Sequence, residues 1–541
     1  MEDLVLESRV ITQKNSSSGR LKSIPAAQIT SPFLRAAARH RVRKWDAVAR
    51  SPEPAQLRTL LKHCQSASQT EFGKAHHFDR IRTYDDYKSQ VPLRTYAEFE
   101  PYLDRMRKGE QDVLWPGLIP YYGQSSGSSN TVAQHKFLPI SWEQVRWQRK
   151  AGFDLISRYL TLSGDRGFTG GFNLGLFPPS ILKPESPGVH VGSNPGIMLR
   201  HVPAIAKWVT LPRAPLRDIP DYEEKLQAIC DTYLHHDVRS ISGTTCWFSI
   251  LFDRLLKTAQ ARGLKATTIQ DIWPNLRVLF GGGVYAEPYR KVIHERIGRP
   301  IVIMDNYNAT EGGIFSATDR IGDPGMLMLP DRGVFFEFVA RAEHGNPHPA
   351  SRVPLWQVEP GVDYSVVLTT SSGLFGYYIG DFVRFSSVFP HRMEFAGRAS
   401  GVLSLTQELT SFIEIERSFA EAVRQHPCTI VEYAASSEVD VGQSGKGRYL
   451  FLIEFEREPK DLDAFLRAVD QELCHQNRVY REHRSADVAI LAPRLVRLAH
   501  GSSVEFMERL GYGSVQNKFP RIIDEKRRDI LASFALPGLH S

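Results

Sequence analysis

Cysteine is scarce here: five in 541 residues, at Cys64, Cys230, Cys246, Cys428 and Cys474, with no pair spaced as CxxC. That scatter argues against a zinc site and a disulfide framework, and it suits a reducing compartment. Long hydrophobic runs are missing too, and nothing approaches the roughly 20 apolar residues of a membrane helix. The opening residues carry Glu2, Asp3 and Glu7, not the basic-then-apolar order of a secretory leader. The cytoplasm is the expected location, with no membrane partner. There is also no GxxxxGK[ST] loop, so a Walker-type phosphate site is excluded.

What remains is ordinary for a soluble globular protein, at 42% hydrophobic and 23% charged residues. The length exceeds what one compact core accommodates, so more than one domain is expected. The net charge of +7 is partly concentrated in Arg35, Arg39, Arg41, Arg43 and Lys44. Leu34, Val42, Trp45 and Val48 recur beside them at helical spacing, which predicts a solvated helix face with a packing side, not a nucleic-acid arm.

Residues 1–30 read as a loose polar tail. Residues 31–396 read as a large α/β domain. It opens with helices to about residue 110. Short apolar runs at 172–177, 277–280 and 300–305 then alternate with helical segments at 221–234 and 246–263. Strand patterns at 333–340 and 362–370 suggest a further sheet or a distorted barrel. Residues 397–541 read as a small α+β module: a helix from Phe412 to Arg424, a strand from Tyr449 to Phe455, a helix from Leu462 to Arg478 and an apolar run at 488–491.

Short polar motifs punctuate this framework in a fixed order. Ser125, Ser126, Gly127, Ser128 and Ser129 offer hydroxyls and a turn whose N–H groups can face an anion, with Lys136 beyond them. Tyr307-Asn308-Ala309-Thr310-Glu311 follows a buried strand ending at Asp305; its ring can stack on a base, and Glu311 can hold magnesium. Tyr377-Tyr378-Ile379-Gly380-Asp381 ends in a carboxylate able to accept two hydrogen bonds from a ribose. Lys518, flanked by Gly511, Gly513 and Pro520, is a cation on a flexible stem in the small module. Each motif alone has a bland reading as loop, turn or surface charge.

The set resembles the adenylate-forming superfamily of acyl-CoA ligases, luciferases and peptide-synthetase adenylation domains. There the second motif reads YGxTE, the third YxxGD, and a Gly-Arg hinge, matched by Gly397-Arg398, precedes the small domain. Asn308 stands where YGxTE has its glycine, and Ser400 stands near the place of the hinge carboxylate. A closer resemblance is to the Gretchen Hagen family of acyl acid amido synthetases. It is carried by Gln69 to Lys74, Val91 to Tyr96, Arg105 to Glu110, Ser240 to Trp247 and Val515 to Arg521. It spans residues 55 to 525.

The resemblance implies two half-reactions on ATP and Mg2+. Adenine would lie near Tyr307 and Thr310, and ribose on Asp381 near Arg398. Phosphates would sit at Ser125 to Ser129, and magnesium at Glu311. A small carboxylic acid would attack the α-phosphorus with Lys518 neutralising the developing charge, and an amine or amino acid would then take the acyl group. Trp208, Trp247 and Phe248 are candidates for the acid pocket, and His201 and His294 for a base. An acyl-CoA ligase sharing the first step, or a non-enzymatic binder using residues 35–44, are the rival readings.

Overall fold

The computed structural model describes residues 31–125, 136–283, 286–341, 351–398, 402–403, 405, 410–439, 447–477, 480–481, 484–485, 490–511 and 519–536. The chain enters through helix α1 (Pro32–Arg50), whose Ala38, Val42, Trp45 and Ala49 are buried at offsets of four, three and four. Leu34 is 43% exposed, so the packing side runs through Ala38 and Ala49 and not through Leu34 as expected. Trp45 Nε1 donates to the Met328 carbonyl at 2.8 Å. Arg41 pairs with Asp154, which also holds Arg332. The basic face is therefore partly neutralised against the helix that carries Asp154. Helix α2 (Glu53–Ala67) follows.

Strands β1 (Tyr121–Ser125) and β2 (Lys136–Ile140) form an antiparallel hairpin. The parallel strand Val189–Gly192 and then Lys183–Ser186 extend it into a four-stranded sheet. Helix α3 (Trp142–Ser163) leaves β2 with Ser141 as its cap, the hydroxyl accepting from Gln144 N at 3.1 Å.

The expected α/β core is a five-stranded all-parallel sheet. It contains β3 (Phe172–Leu176), β4 (Thr210–Leu211), β5 (Val238–Gly243), β6 (Val278–Phe280) and β7 (Val302–Met304), in the order β4-β3-β5-β6-β7. Alternate side chains enter two different cores. Leu279 and Ile303 join Ile241 under helices α4 (Tyr222–Tyr233), α5 (Cys246–Ala261) and α6 (Glu287–Ile297). Val278, Phe280 and Met304 face Trp45 and Tyr159 of α1 and α3. Burial on both faces is why these runs read as continuously apolar.

An eight-stranded antiparallel sheet follows. It is built from β8 (Asn306–Ala309), β9 (Gly313–Thr318), β10 (Met326–Met328), β11 (Val334–Ala340), β12 (Asp363–Thr370), β13 (Tyr377–Val388) and β14 (His391–Arg398). The order is β8-β9-β10-β14-β13-β12-β11, with Val353–Pro354 at the far edge. Its two edges leave it open, so the expected barrel is not a closed one among the described residues.

The last unit sandwiches a three-stranded sheet, β15 (Thr429–Val439), β16 (Gly447–Arg457) and β17 (Arg494–Leu498), between helices. Tyr449, Phe451 and Ile453 face helices α7 (Phe412–Gln425) and α8 (Leu462–Gln476). Leu450 and Leu452 face α9 (Ser502–Arg509) and the helix Glu525–Ala532. In the expected apolar run 488–491, residues 486–489 lie outside the described residues, and Ile490 makes only an isolated bridge to Gly447. The third strand is β17.

Candidate nucleotide-binding site

Strand β7 ends at Met304, and the chain turns into β8 at Asp305. Thr318 pins that turn: its hydroxyl accepts from Asp305 N at 2.8 Å, and Thr318 N donates to the Asp305 carbonyl at 2.9 Å. Removal from water raises the Asp305 carboxyl to about 7, against the pull of the Asn306 and Ala286 N–H groups and of Arg290.

Along β8, Tyr307 and Ala309 are buried while Asn308 is exposed. The Tyr307 ring lies between Phe315, edge-on at 5.3 Å, and Phe395 at 5.5 Å. Its hydroxyl donates to Asp381 Oδ2 at 2.7 Å. Asp381 itself is 1% exposed. Gly380 supplies φ +82 beside it, where the β12–β13 register slips. The run from Tyr377 opens a twelve-residue strand that continues past Asp381, so the reading of Gly380-Asp381 as a simple turn fails.

The Thr310–Glu311 turn is clamped from above by α3. Gln144 Nε2 donates to the Thr310 carbonyl at 3.0 Å, and Gln144 Oε1 accepts from Ser372. A Cβ on Gly313, at φ +93, would lie 2.6 Å from Gln148 Cγ, so this close approach of helix to turn requires glycine. Glu311 is buried. Burial raises the Tyr377 phenol well above its ordinary value, and the nearby carboxylates of Glu311 and Asp381 add to the effect. Tyr307, Glu311, Tyr377 and Asp381 thus converge, although 74 residues separate Tyr307 from Asp381.

The serine-rich run begins beside them. Gly123 of β1 faces the Thr310 methyl so closely that a Cβ would overlap it. Ser125 pairs with Lys136 across the hairpin, which returns Lys136 to the base of the run. Ser126, Gly127, Ser128 and Ser129 lie outside the described residues, as does Lys518. Arg398 stands opposite Asp381 on the β13–β14 ladder.

The sequence reads Gly281-Gly282-Gly283 as a tight loop after β6 but does not place it in the site. A Cβ on Gly282 would lie 2.9 Å from Asn308 Nδ2 and 3.0 Å from Asn306 Nδ2, so that turn closes directly onto β8. Its signal was a triple glycine following a buried strand.

A second region adjoins the same helix. Trp142 at the start of α3, Tyr121 and His201 meet edge to face at 5.2–5.3 Å. His201 Nε2 has no hydrogen-bond partner among the described residues. Desolvation lowers the His201 pKa, assisted by Arg149, Arg200 and Lys207, so the ring is neutral at neutral pH. A cleft of about 510 Å³ beyond it is lined by Ile181, Leu182, Leu199, Arg200 and Lys207. Trp208 is 75% exposed, Trp247 packs half-buried against the core and Phe248 is fully buried in it. His294 Nε2 lies 3.1 Å from the Ile301 carbonyl, a structural contact.

Family models match the chain in three blocks: the GH3 family N-terminal domain over residues 41–246, its central domain over 327–398 and its C-terminal domain over 414–527. The chain belongs to the GH3 family. The jasmonoyl–L-amino acid synthetase JAR6 of Nicotiana attenuata is 21% identical over 88% of this GH3 chain and 92% of its own length. The indole-3-acetic acid-amido synthetase GH3.4 of Arabidopsis thaliana is 21% identical over 88% and 90%. The solved GH3.15 acyl acid amido synthetase superposes with a TM-score of 0.74 at 18% identity, covering 97% of this chain and 98% of that one. A 2-hydroxyisobutyryl-CoA ligase in its postadenylation state gives 0.57 at 14% identity, over 88% and 90%. This GH3 protein therefore has the adenylate-forming enzyme fold.

Proposed function

We propose that this GH3 protein is an ATP-dependent acyl acid amido synthetase. It adenylates a small carboxylic acid and transfers the acyl group to an amine or amino acid, releasing pyrophosphate and then AMP. The convergence of Tyr307, Glu311, Tyr377 and Asp381 at the mouth of the β1–β2 hairpin carries this reading.

In it, the base lies against Tyr307, beside Thr310 and the Gly281–Gly283 turn. Asp381 accepts from the ribose, with Arg398 across the ladder. Ser125 to Ser129 and Lys136 face the phosphates. Glu311 suits magnesium, which keeps several waters and takes only one or two protein carboxylates. When bound, the ion offsets negative charge on phosphate oxygens. Lys518 neutralises charge on the carboxylate and phosphorus oxygens as they react. We place the boundary of the module that carries it at residue 397.

The acceptor amine attacks uncharged, and a neutral His201 supports the role of base. The cleft beside Trp142 and His201 is the proposed entry for the organic substrates. No helix among the described residues is long and apolar enough to cross a membrane. We place the enzyme in the cytoplasm.

The test is pyrophosphate release over a panel of aromatic and aliphatic acids, with amino acids, hydroxylamine and coenzyme A supplied in parallel. Amide formation with amino acids is expected, and exclusive thioester formation would move the assignment to an acyl-CoA ligase. In Lys518→Ala, pyrophosphate release should cease while ATP still binds.

A further inference from the structure

Asn308 stands where the wider adenylate-forming motif carries glycine, and its surroundings give that side chain a defined polarity. Asn306 Nδ2 donates to the carbonyl oxygen of Gly281. A carbonyl can only accept, so this contact fixes which end of the Asn306 amide faces the glycine turn. Its oxygen is left for Asn308, whose Nδ2 donates to it at 2.6 Å. The relay fixes the second amide in turn: one N–H of Asn308 is committed, and Oδ1 remains as an acceptor on an exposed side chain. Both amides line the glycine turn, with Gly282 too close to admit even a methyl group. Tyr307 is the neighbour of both along the strand.

We propose that Asn308 Oδ1 reads the 6-amino group of the adenine base, making Asn308 a nucleotide-selectivity residue. The inference rests on the adenylating function proposed above. Adenine presents N–H donors at that position, whereas hypoxanthine and guanine present an oxygen. Two acceptors face to face repel, and a site that expects a donor is left unpaired. The glycine of the wider motif has no side chain with which to make this distinction.

The experiment compares ATP with inosine triphosphate in acid-dependent pyrophosphate release by the full chain, for the natural protein, Asn308→Gly and Asn308→Ala. The natural protein should favour ATP by roughly tenfold or more in kcat/KM, the effect of one hydrogen bond gained or left unmade. Both variants should lose most of that preference. A merely structural role would slow both nucleotides alike and leave their ratio unchanged. Equal use of the two nucleotides by the natural protein, or an unchanged ratio in both variants, overturns the inference and leaves the adenylating function standing. No release with either nucleotide and any acid overturns that function, and the inference with it.

Discussion

The Tyr307 hydroxyl donates to the Asp381 carboxylate at 2.7 Å, joining the first edge strand of the eight-stranded sheet to its interior strand β13. The bond fixes the phenol ring in its plane and commits one carboxylate oxygen. The ring and the carboxylate therefore act as one unit. A hydrogen bond to a charged group is worth about 1.5–3 kcal/mol. Tyr307→Phe should weaken ATP binding about tenfold, and Asp381→Asn should do the same or more. The double variant should cost less than the sum of the two, because each single change already breaks the pair. Calorimetric titration with ATP measures this. Affinity unchanged in both single variants would remove these residues from the nucleotide site.

The packing of Gly123 on Thr310 makes a second, sharper expectation. A methyl group on Gly123 overlaps the Thr310 methyl and lies 3.1 Å from Ile140 Cδ1. Gly123→Ala should therefore displace the Thr310–Glu311 turn and cut pyrophosphate release at least about tenfold, as small misplacements at a reacting centre do. Thr310→Ser removes the offending methyl while keeping the hydroxyl. Adding it to Gly123→Ala should restore much of the lost rate. Absence of any rescue would mean that the hairpin and the turn are not coupled in this way.

Acid sensitivity should arise at the buried His63. Burial lowers its pKa to about 4, although its ring nitrogen contacts the Gly333 carbonyl at 3.0 Å. The folded state thus holds His63 neutral where an unfolded chain protonates it below about 6.5. Unfolding takes up a proton in that window, so stability is full above it and falls as pH drops from about 6.5 toward 4. The loss is of order 3 kcal/mol. Urea unfolding at stepped pH gives the slope, and a His63→Gln variant should show a flatter one. An identical slope in both proteins would assign the acid loss elsewhere.

Arg521 tests the segment that follows Lys518. Its guanidinium pairs with Glu432, lies 3.4 Å from Glu416 and stacks 4.5 Å over the Tyr433 ring. Its carbonyl accepts from Ala435 N at 2.7 Å, which docks the segment along β15. Burial raises the Glu432 carboxyl, and Arg521 opposes that rise. Arg521→Ala leaves two carboxylates facing each other without their cation. About 3 kcal/mol of stability should be lost, and adenylation should fall with it. A shift below about 1 kcal/mol in denaturant unfolding would show that the clamp is dispensable.

The parts of this fold governed by one local rule were legible from sequence. The runs at 277–280 and 300–305 carry buried apolar side chains on both faces and became β6 and β7, while that at 172–177 is apolar on the face of Leu174 and Leu176, with Asn173 on the other, and became β3. The helix from Phe412 was legible from its periodic apolar pattern, and the structure adds the Ser411–Glu414 capping box that starts it. Strand β17 was missed because Arg494 and Arg497 interrupt its apolar side chains, and both point to carboxylates, Glu438 and Glu458. Within the site, motif order placed Tyr307, Glu311 and Asp381 together. The closure of the glycine turn at 281–283 onto β8 and the Gln144 clamp were not readable, since both depend on contacts between segments far apart in the chain. Lys136 lies beyond the serine run in sequence, and the hairpin pairs it with Ser125.

The rung that pairs Asp381 with Arg398 has a geometric consequence. In a rigid rotation, displacement grows with distance from the axis. For a carboxyl-terminal unit that swivels just past Arg398, the Asp381 carboxylate lies next to the axis and scarcely shifts, whereas residues at the far end sweep the widest arc. A nucleotide held as proposed would keep its sugar seated while the machinery above it is exchanged.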